Sequence, residues 1–254
     1  MRTRDLARLT WPEVREAVDA RTGVVLPVGA TEQHGPHLPL ATDSIFATDL
    51  ARAVAEPADL VVAPTLSYGY RSRPLSGGGQ GFAGTTSLRG ATLVALAEDV
   101  LRELLRHGFE RVVVLSWHYE NQNFVYEAAY LAAAGQERAR VMVMEAPFAE
   151  LSESTMEALF PDGFPGWATE HASIMETSLM AHLHPEAVLL DRAVDDRSAR
   201  TPWWDVVPTP PDLVPASGTL WKATQGTADK GRLVWEDIVG QVTAAVLEEL
   251  PPAG

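Results

Sequence analysis

Cysteine is absent from the 254-residue chain, which excludes disulfides, thiolate zinc sites and cysteine nucleophiles in any compartment. Any metal ion must therefore be held by imidazole and carboxylate. Positive charge is scarce: 20 Lys and Arg stand against 34 Asp and Glu, a formal net charge of -14. Such a balance disfavours nucleic acid and anionic membrane as partners. Long apolar runs are missing too, since no stretch approaches the roughly 20 uninterrupted apolar residues of a membrane span. The N-terminal arginines, Arg2, Arg4 and Arg8, are followed by no apolar core or small-residue cleavage site, so no signal peptide is expected and the cytoplasm is the expected location. What is present, 46% hydrophobic and 21% charged residues, suits a globular chain with one sizeable core.

Apolar, β-branched runs recur at Val24–Val28, Leu60–Ala63, Arg111–Leu115 and Arg140–Met144. Runs this short and this apolar predict fully buried parallel strands. Between the second and third, Leu93, Leu96, Val100, Leu104 and Leu105 mark one face of a helix that stops at His107-Gly108, a cation followed by a glycine cap. Further helices are expected over Asn121–Ala134, Glu170–Leu183 and about Asp229–Leu250. Strands alternating with helices predict an α/β/α three-layer sandwich with a mostly parallel sheet, in one domain spanning residues 1–254. Residues 195–218 carry Pro202, Pro208, Pro210, Pro211 and Pro215 around Trp203 and Trp204, a composition incompatible with helix. Paired tryptophans are costly to leave in water, so an ordered loop packed on the body or on a neighbouring subunit is expected. No internal repeat is evident.

The chemistry-bearing residues cluster just after predicted strands. Following the first strand come Glu32, Gln33, His34 and, after a stretch stiffened by Pro36 and Pro39, Asp43. In α/β sheets ligands gather beyond the carboxyl ends of the strands. In extended backbone Glu32 and His34 point to the same side, and with Asp43 they make half of a divalent-cation site. The alternative is a polar loop in which Asp43 caps a helix starting near Ser44. His118, Tyr119 and Glu120 follow the third strand in the same way and repeat the imidazole-carboxylate alternation. Together Glu32, His34, Asp43, His118 and Glu120 suffice for two metals sharing a bridging carboxylate.

A third segment offers Glu170, His171 and Glu176. On a helix Glu170 and His171 would point about 100° apart, so one of them at most would face a given metal. A turn of acidic residues at a helix N-terminus is the alternative. Gly79 to Gly84 matches G-x-G-x-x-G but joins no strand to a helix and has no accompanying lysine, so it reads as a flexible glycine loop. His182 and His184 sit at a helix end, where cations commonly cap.

On these residues the sequence resembles the creatininase (creatinine amidohydrolase) family. The matching text is Val28-Gly-Ala-Thr-Glu-Gln-His-Gly-Pro-His-Leu-Pro, Tyr68-Gly-Tyr, Ser76-Gly-Gly-Gly, Gly84-Thr-Thr-Ser-Leu, His118-Tyr-Glu-Asn, Glu170-His and Glu176-Thr-Ser-Leu-Met, in one register from about residue 10 to the last helix. The resemblance implies a binuclear centre of manganese or zinc, two divalent ions per subunit, in a homohexamer. It assigns Glu32, Asp43 and His118 to one ion and His34, Asp43 and Glu120 to the other, with Asp43 bridging. Ser76, Tyr119, Trp167 and His171 fall where the family contacts or gates substrate, with His171 as proton shuttle. The implied reaction is attack of a metal-bound hydroxide on a cyclic amide, creatinine to creatine being the first candidate. The chain departs from the family pattern at Ala168, which replaces an aspartate, at Trp117, which replaces a glycine, and near Pro147-Phe148, where a second gating tryptophan is lost. Those departures suit an amidohydrolase acting on another amide, a formamide or a peptide-like bond. A metal-binding assembly protein without catalysis is the third reading, distinguished by metal content without turnover.

Overall fold

A computed structural model describes residues 1–145 and 151–252, so the expectation at Pro147 and Phe148 lies outside the described residues. Four strands, β1 (Gly23–Val28), β2 (Leu60–Val62), β3 (Arg111–Ser116) and β4 (Arg140–Glu145), form a sheet in the order β2-β1-β3-β4. Every neighbouring pair is parallel. The helices are α1 (Trp11–Asp19), α2 (Thr42–Ala55), α3 (Gly90–His107), α4 (Gln122–Ala133), α5 (Glu153–Leu159), α6 (Ile174–Leu183) and α7 (Ala228–Glu249).

The two sheet faces are visible in the strand sequences. Val24, Leu26, Val112 and Val114 turn to one side and pack with Leu101 and Leu104 of α3 and Val125 and Ala128 of α4. Val25, Val113 and Leu115 turn to the other, against Phe46 and Leu50 of α2, Leu179 of α6 and Ile238 and Val242 of α7. Period-2 alternation within continuously apolar strands therefore feeds two separate cores, the mark of the three-layer sandwich. Each fully buried leucine or isoleucine contributes roughly 1.5–3 kcal/mol.

The two ends of the sheet are built differently. At the N-terminal end of β3 the Arg111 guanidinium donates to the carbonyls of Ala58, Asp59 and Leu250, tying down the loop before β2 and the last turn of α7. At the C-terminal ends the chain leaves in polar loops. There α2 starts hard against Gly29: a Cβ on that glycine would lie 2.5 Å from the Ser44 backbone nitrogen. Only glycine permits this approach, and it carries Asp43, in the first turn of α2, to the strand ends.

Two expectations are corrected. The segment from Glu170 is not helical until Ile174; Trp167–Thr169 make a short 3-10 turn, Ala172 takes φ +49° and Ser173 precedes the helix. Carboxylates satisfy buried N–H groups around this turn, Glu170 Oε1 accepting from Met175 N (2.8 Å) and Glu176 Oε2 from Ala172 N (2.7 Å). The glycine run is also no free loop. Gly79–Gly81 form a 3-10 turn, and a Cβ on Gly79 would meet the Glu32 carboxylate at 2.7 Å, so this run is pressed on the polar cluster.

The Pro/Trp-rich loop is tied to the body by the Asp195–Lys222 bridge, the buried Leu213 and an Arg73–Asp205 ion pair. Trp203 does not pack on the body: it is 91% exposed and stands edge-on to the half-exposed Trp204, 5.3 Å between centroids. His184 meets Asp49 of α2 at 2.6 Å and so joins α6 to α2.

Candidate metal centre

Glu32, His34, Asp43, His118 and Glu120 are all buried and converge beyond the ends of β1 and β3. His118 Nδ1 lies 3.1 Å from Asp43 Oδ2 and 3.3 Å from Glu32 Oε2. His34 Nε2 lies 3.3 Å from Asp43 Oδ1 and 3.7 Å from Glu176 Oε2. Asp43 thus has one oxygen toward each imidazole. It does not cap α2: Ala41 holds the cap position with no side-chain cap bond.

Each imidazole is oriented from behind by a backbone carbonyl. His118 Nε2 is 2.8 Å from the Tyr70 carbonyl, and His34 Nδ1 is 3.1 Å from that of Glu32. The remaining nitrogen of each ring faces carboxylates, as ligand histidines do when their other N–H is held by a second group. Two sets of possible ligands are close enough for one ion each, Glu32, Asp43 and His118 in one and His34, His171 and Glu176 in the other. Glu120 stands to the side, accepting from Ser76 Oγ and from Arg73 N (3.2 Å), with its second oxygen 3.6 Å from His118 Nε2. Ser72 Oγ donates to Glu32 Oε1.

The electrostatics fit a cation. Buried polar atoms are nearly always satisfied, yet Glu32 Oε2, His34 Nε2, Asp43 Oδ2 and Glu120 Oε2 have no hydrogen-bond partner among the described residues. Oxygen and imidazole donors of this kind suit divalent ions. Burial raises the Glu32 carboxyl to about 7 against the pull of His118, and burial likewise lifts Glu120. Burial works against charge on His118 and His34, but Asp43 outweighs it, aided by Glu32 and Glu120 in one case and Glu176 in the other. His118 is held up to about 10 and His34 well above its ordinary value. Burial also opposes ionisation of Asp43, and His34 and His118 reverse it, leaving Asp43 well below the usual carboxylate range. The carboxylates here are compensated by imidazolium protons, the role a metal ion would take over.

The remaining predicted residues share one small cavity, about 30 Å³, over this cluster: Ser76, Tyr119, Trp167 and His171 all line it. Tyr119 is 42% exposed at its mouth, and Trp167 stacks edge-on against Phe164 at 4.5 Å. Trp117 lines it from below, its ring 5.0 Å from that of Phe46. Burial and the neighbouring His34 push His171 down to about 4, so it is neutral near pH 7. Both Glu170 and His171 reach the cavity, because the non-helical turn before Ile174 lets neighbouring side chains converge. Burial, reinforced by Glu176, raises Glu170 to about 8. Neither residue type nor spacing marks Ser72, the Tyr70 carbonyl or Gln33 as contributors. Gln33 falls between two alternating residues, so strand periodicity directs it away from the site.

The family model for creatinine amidohydrolases matches residues 7–246. A creatinine amidohydrolase of Pseudomonas putida is 42% identical over 253 residues, 97% of each chain. A mycofactocin precursor peptide peptidase of Mycolicibacterium smegmatis is 33% identical over 227 residues, 85% of this chain and 81% of that one. Among solved structures, a mutant creatininase complexed with creatine superposes with a TM-score of 0.94 at 41% identity, covering 99% of this chain and 100% of that one. A mutant creatininase of Zn-Zn type gives the same TM-score, identity and coverage. A manganese creatininase gives 0.93 at 42%, again covering 99% and 100%.

Proposed function

The chain belongs to the creatininase family, and we propose that it is a binuclear metal-dependent amidohydrolase that opens a cyclic amide, with creatinine the first candidate substrate and creatine the product. The observation that carries this reading is the convergence, at the strand ends, of four buried atoms without a hydrogen-bond partner among the described residues, on Glu32, His34, Asp43 and Glu120. Glu32, Asp43 and His118 would hold one ion. His34 and Asp43 would hold the other, with Glu176, which lies within ligand range of His34, in place of the expected Glu120. When bound, two such ions would polarise a carbonyl and lower the pKa of a water toward neutral.

The chain's own groups do the rest. Glu120, anchored by Ser76 and the Arg73 amide, keeps one oxygen free to orient or accept a proton beside His118. His171, neutral and lining the cavity, would take a proton from the attacking water and pass it to the leaving nitrogen. Trp167 and Tyr119 close the cavity from water. At about 30 Å³ it has room for little more than a water molecule, so substrate admission requires one of these rings to move.

The test is to load the protein with manganese and with zinc and follow creatine formation from creatinine. Turnover supports the assignment; bound metal without creatine refutes the substrate. A second reading, hydrolysis of a peptide-like or formamide bond by the same centre, is favoured by Trp117 in the cavity lining, by Ala168 next to the lining residue Trp167, and by the peptidase relative. Assay of short peptides with the same loaded enzyme separates the two. We further assign the exposed apolar edge at Trp203, Trp204 and Val207 to contacts between subunits of a homo-oligomer, a hexamer in size, which sedimentation velocity checks.

A further inference from the structure

Gln33 lies between the proposed ligands Glu32 and His34 yet turns away from them, and it is buried. Its side-chain nitrogen is within hydrogen-bond distance of three atoms: the Gly77 carbonyl (3.1 Å), the Gly218 carbonyl (3.0 Å) and His171 Nε2 (2.9 Å). Its side-chain oxygen accepts from Gly35 N at 2.9 Å, which fixes which end of the amide is NH2. The same His171 Nε2 is also 2.9 Å from the Gln33 backbone carbonyl.

Hydrogen counting decides among these contacts. A primary amide has two N–H bonds, and a carbonyl can only accept. If both amide hydrogens satisfy Gly77 and Gly218, which have nothing else to offer the amide, none remains for His171. The imidazole Nε2 must then carry a hydrogen and donate it to the Gln33 carbonyl. The other ring nitrogen, Nδ1, makes no hydrogen bond among the described residues and belongs to the ring that lines the cavity. A Cβ at Gly218 would lie 1.9 Å from the Gln33 side-chain oxygen, so the fit leaves the amide no room to rotate.

We infer that Gln33 is a positioning residue that holds His171 as the Nε2–H tautomer, so that Nδ1 is the atom that accepts and returns the proton during the reaction. This rests on the reading of the protein as an amidohydrolase in which His171 shuttles a proton. Gln33 acts through His171 and touches no reacting atom. Nδ1 takes up the proton that the attacking water loses and delivers it to the substrate nitrogen as the C–N bond breaks, while the Nε2–H bond to the Gln33 carbonyl stays intact throughout. Because the amide also grips Gly77 and Gly218, the glycine turn and the end of the Pro/Trp-rich loop are tied to the same ring.

The test has one arm that needs no substrate. In zinc-loaded protein labelled with 15N-histidine, the His171 signal, identified by its loss in His171→Asn, is expected to show a protonated Nε2 and an unprotonated Nδ1. The opposite tautomer would overturn the inference. In the second arm, Gln33→Leu is expected to lower kcat by about 10- to 100-fold, part of the range typical of proton-transfer groups, with KM within about threefold and zinc content unchanged. Loss of zinc, or a rise in KM with kcat unchanged, would overturn it in favour of a merely structural role. If the wild-type enzyme turns over no amide at all, the amidohydrolase reading fails, and the spectrum alone still decides the tautomer.

Discussion

Glu32 and Asp43 are each only 2% exposed, whereas the indole of Trp203 is 91% exposed; each is the reverse of what such a side chain does when left to itself. At the strand ends, burial of charge is tolerated because carboxylates and imidazoles compensate one another and because backbone carbonyls aim the rings. In the loop over residues 195–218, an aromatic pair is held in water by a frame anchored elsewhere, at Leu213 and Asp205. The difference is that the buried cluster calls for a cation, whereas the exposed pair leaves an apolar edge that the proposed homo-oligomer would cover.

The comparison can be broken most forcefully at the shared carboxylate. Asp43→Asn removes the charge that faces both imidazoles and is expected to lower turnover roughly a thousandfold, the equivalent of several kcal/mol of lost stabilisation, with metal falling below one ion per chain by elemental analysis. A smaller effect should follow from Ser72→Ala, which takes away the hydroxyl that orients Glu32. Removal of such outer partners commonly weakens metal binding about 10- to 100-fold, and competition with a chelator measures it.

Smaller still is the effect at the periphery of the core, where His184 meets Asp49. The hydrogen bond to Asp49 raises the pKa of His184, and its first effect is partly offset by burial. Because the folded value lies above the unfolded one, this pair stabilises fully below about pH 6.5 and loses its contribution as pH rises through the raised value. The imidazole is about one-third exposed, so solvent screening limits the effect to under about 1 kcal/mol. Urea unfolding of Asp49→Asn should show that deficit at pH 6 and none at high pH. The smallest change is expected at Trp203→Ser, within about 0.5 kcal/mol of wild type in the same assay. A large loss there would mean that the indole is buried against something, and its concentration dependence would identify a second subunit.

The sandwich was legible in the sequence because buried parallel strands are short, continuous and β-branched: the observed β1, β3 and β4 differ from the expected runs by a single residue at an end. The placement of Glu32, His34, His118 and Glu120 was legible for a related reason, since residues that directly follow a buried strand have nowhere to go but the sheet edge. Glu176 was visible only as one of three acidic or imidazole groups in a presumed helix. Its approach to His34 depends on Ala172 adopting a left-handed conformation, a local choice enforced by carboxylate acceptors that periodicity does not register. The glycine turn was misread because composition suggests freedom, while the backbone there is pinned against Glu32. Trp203 was expected to be covered, and within one chain it is not.

Whether the buried strand-end cluster is a two-ion site is decided by equilibrium dialysis against zinc or manganese followed by elemental analysis. Close to two ions per chain are expected for the wild type. Less than one ion per chain, with the protein folded and metal in excess, would contradict a two-ion site.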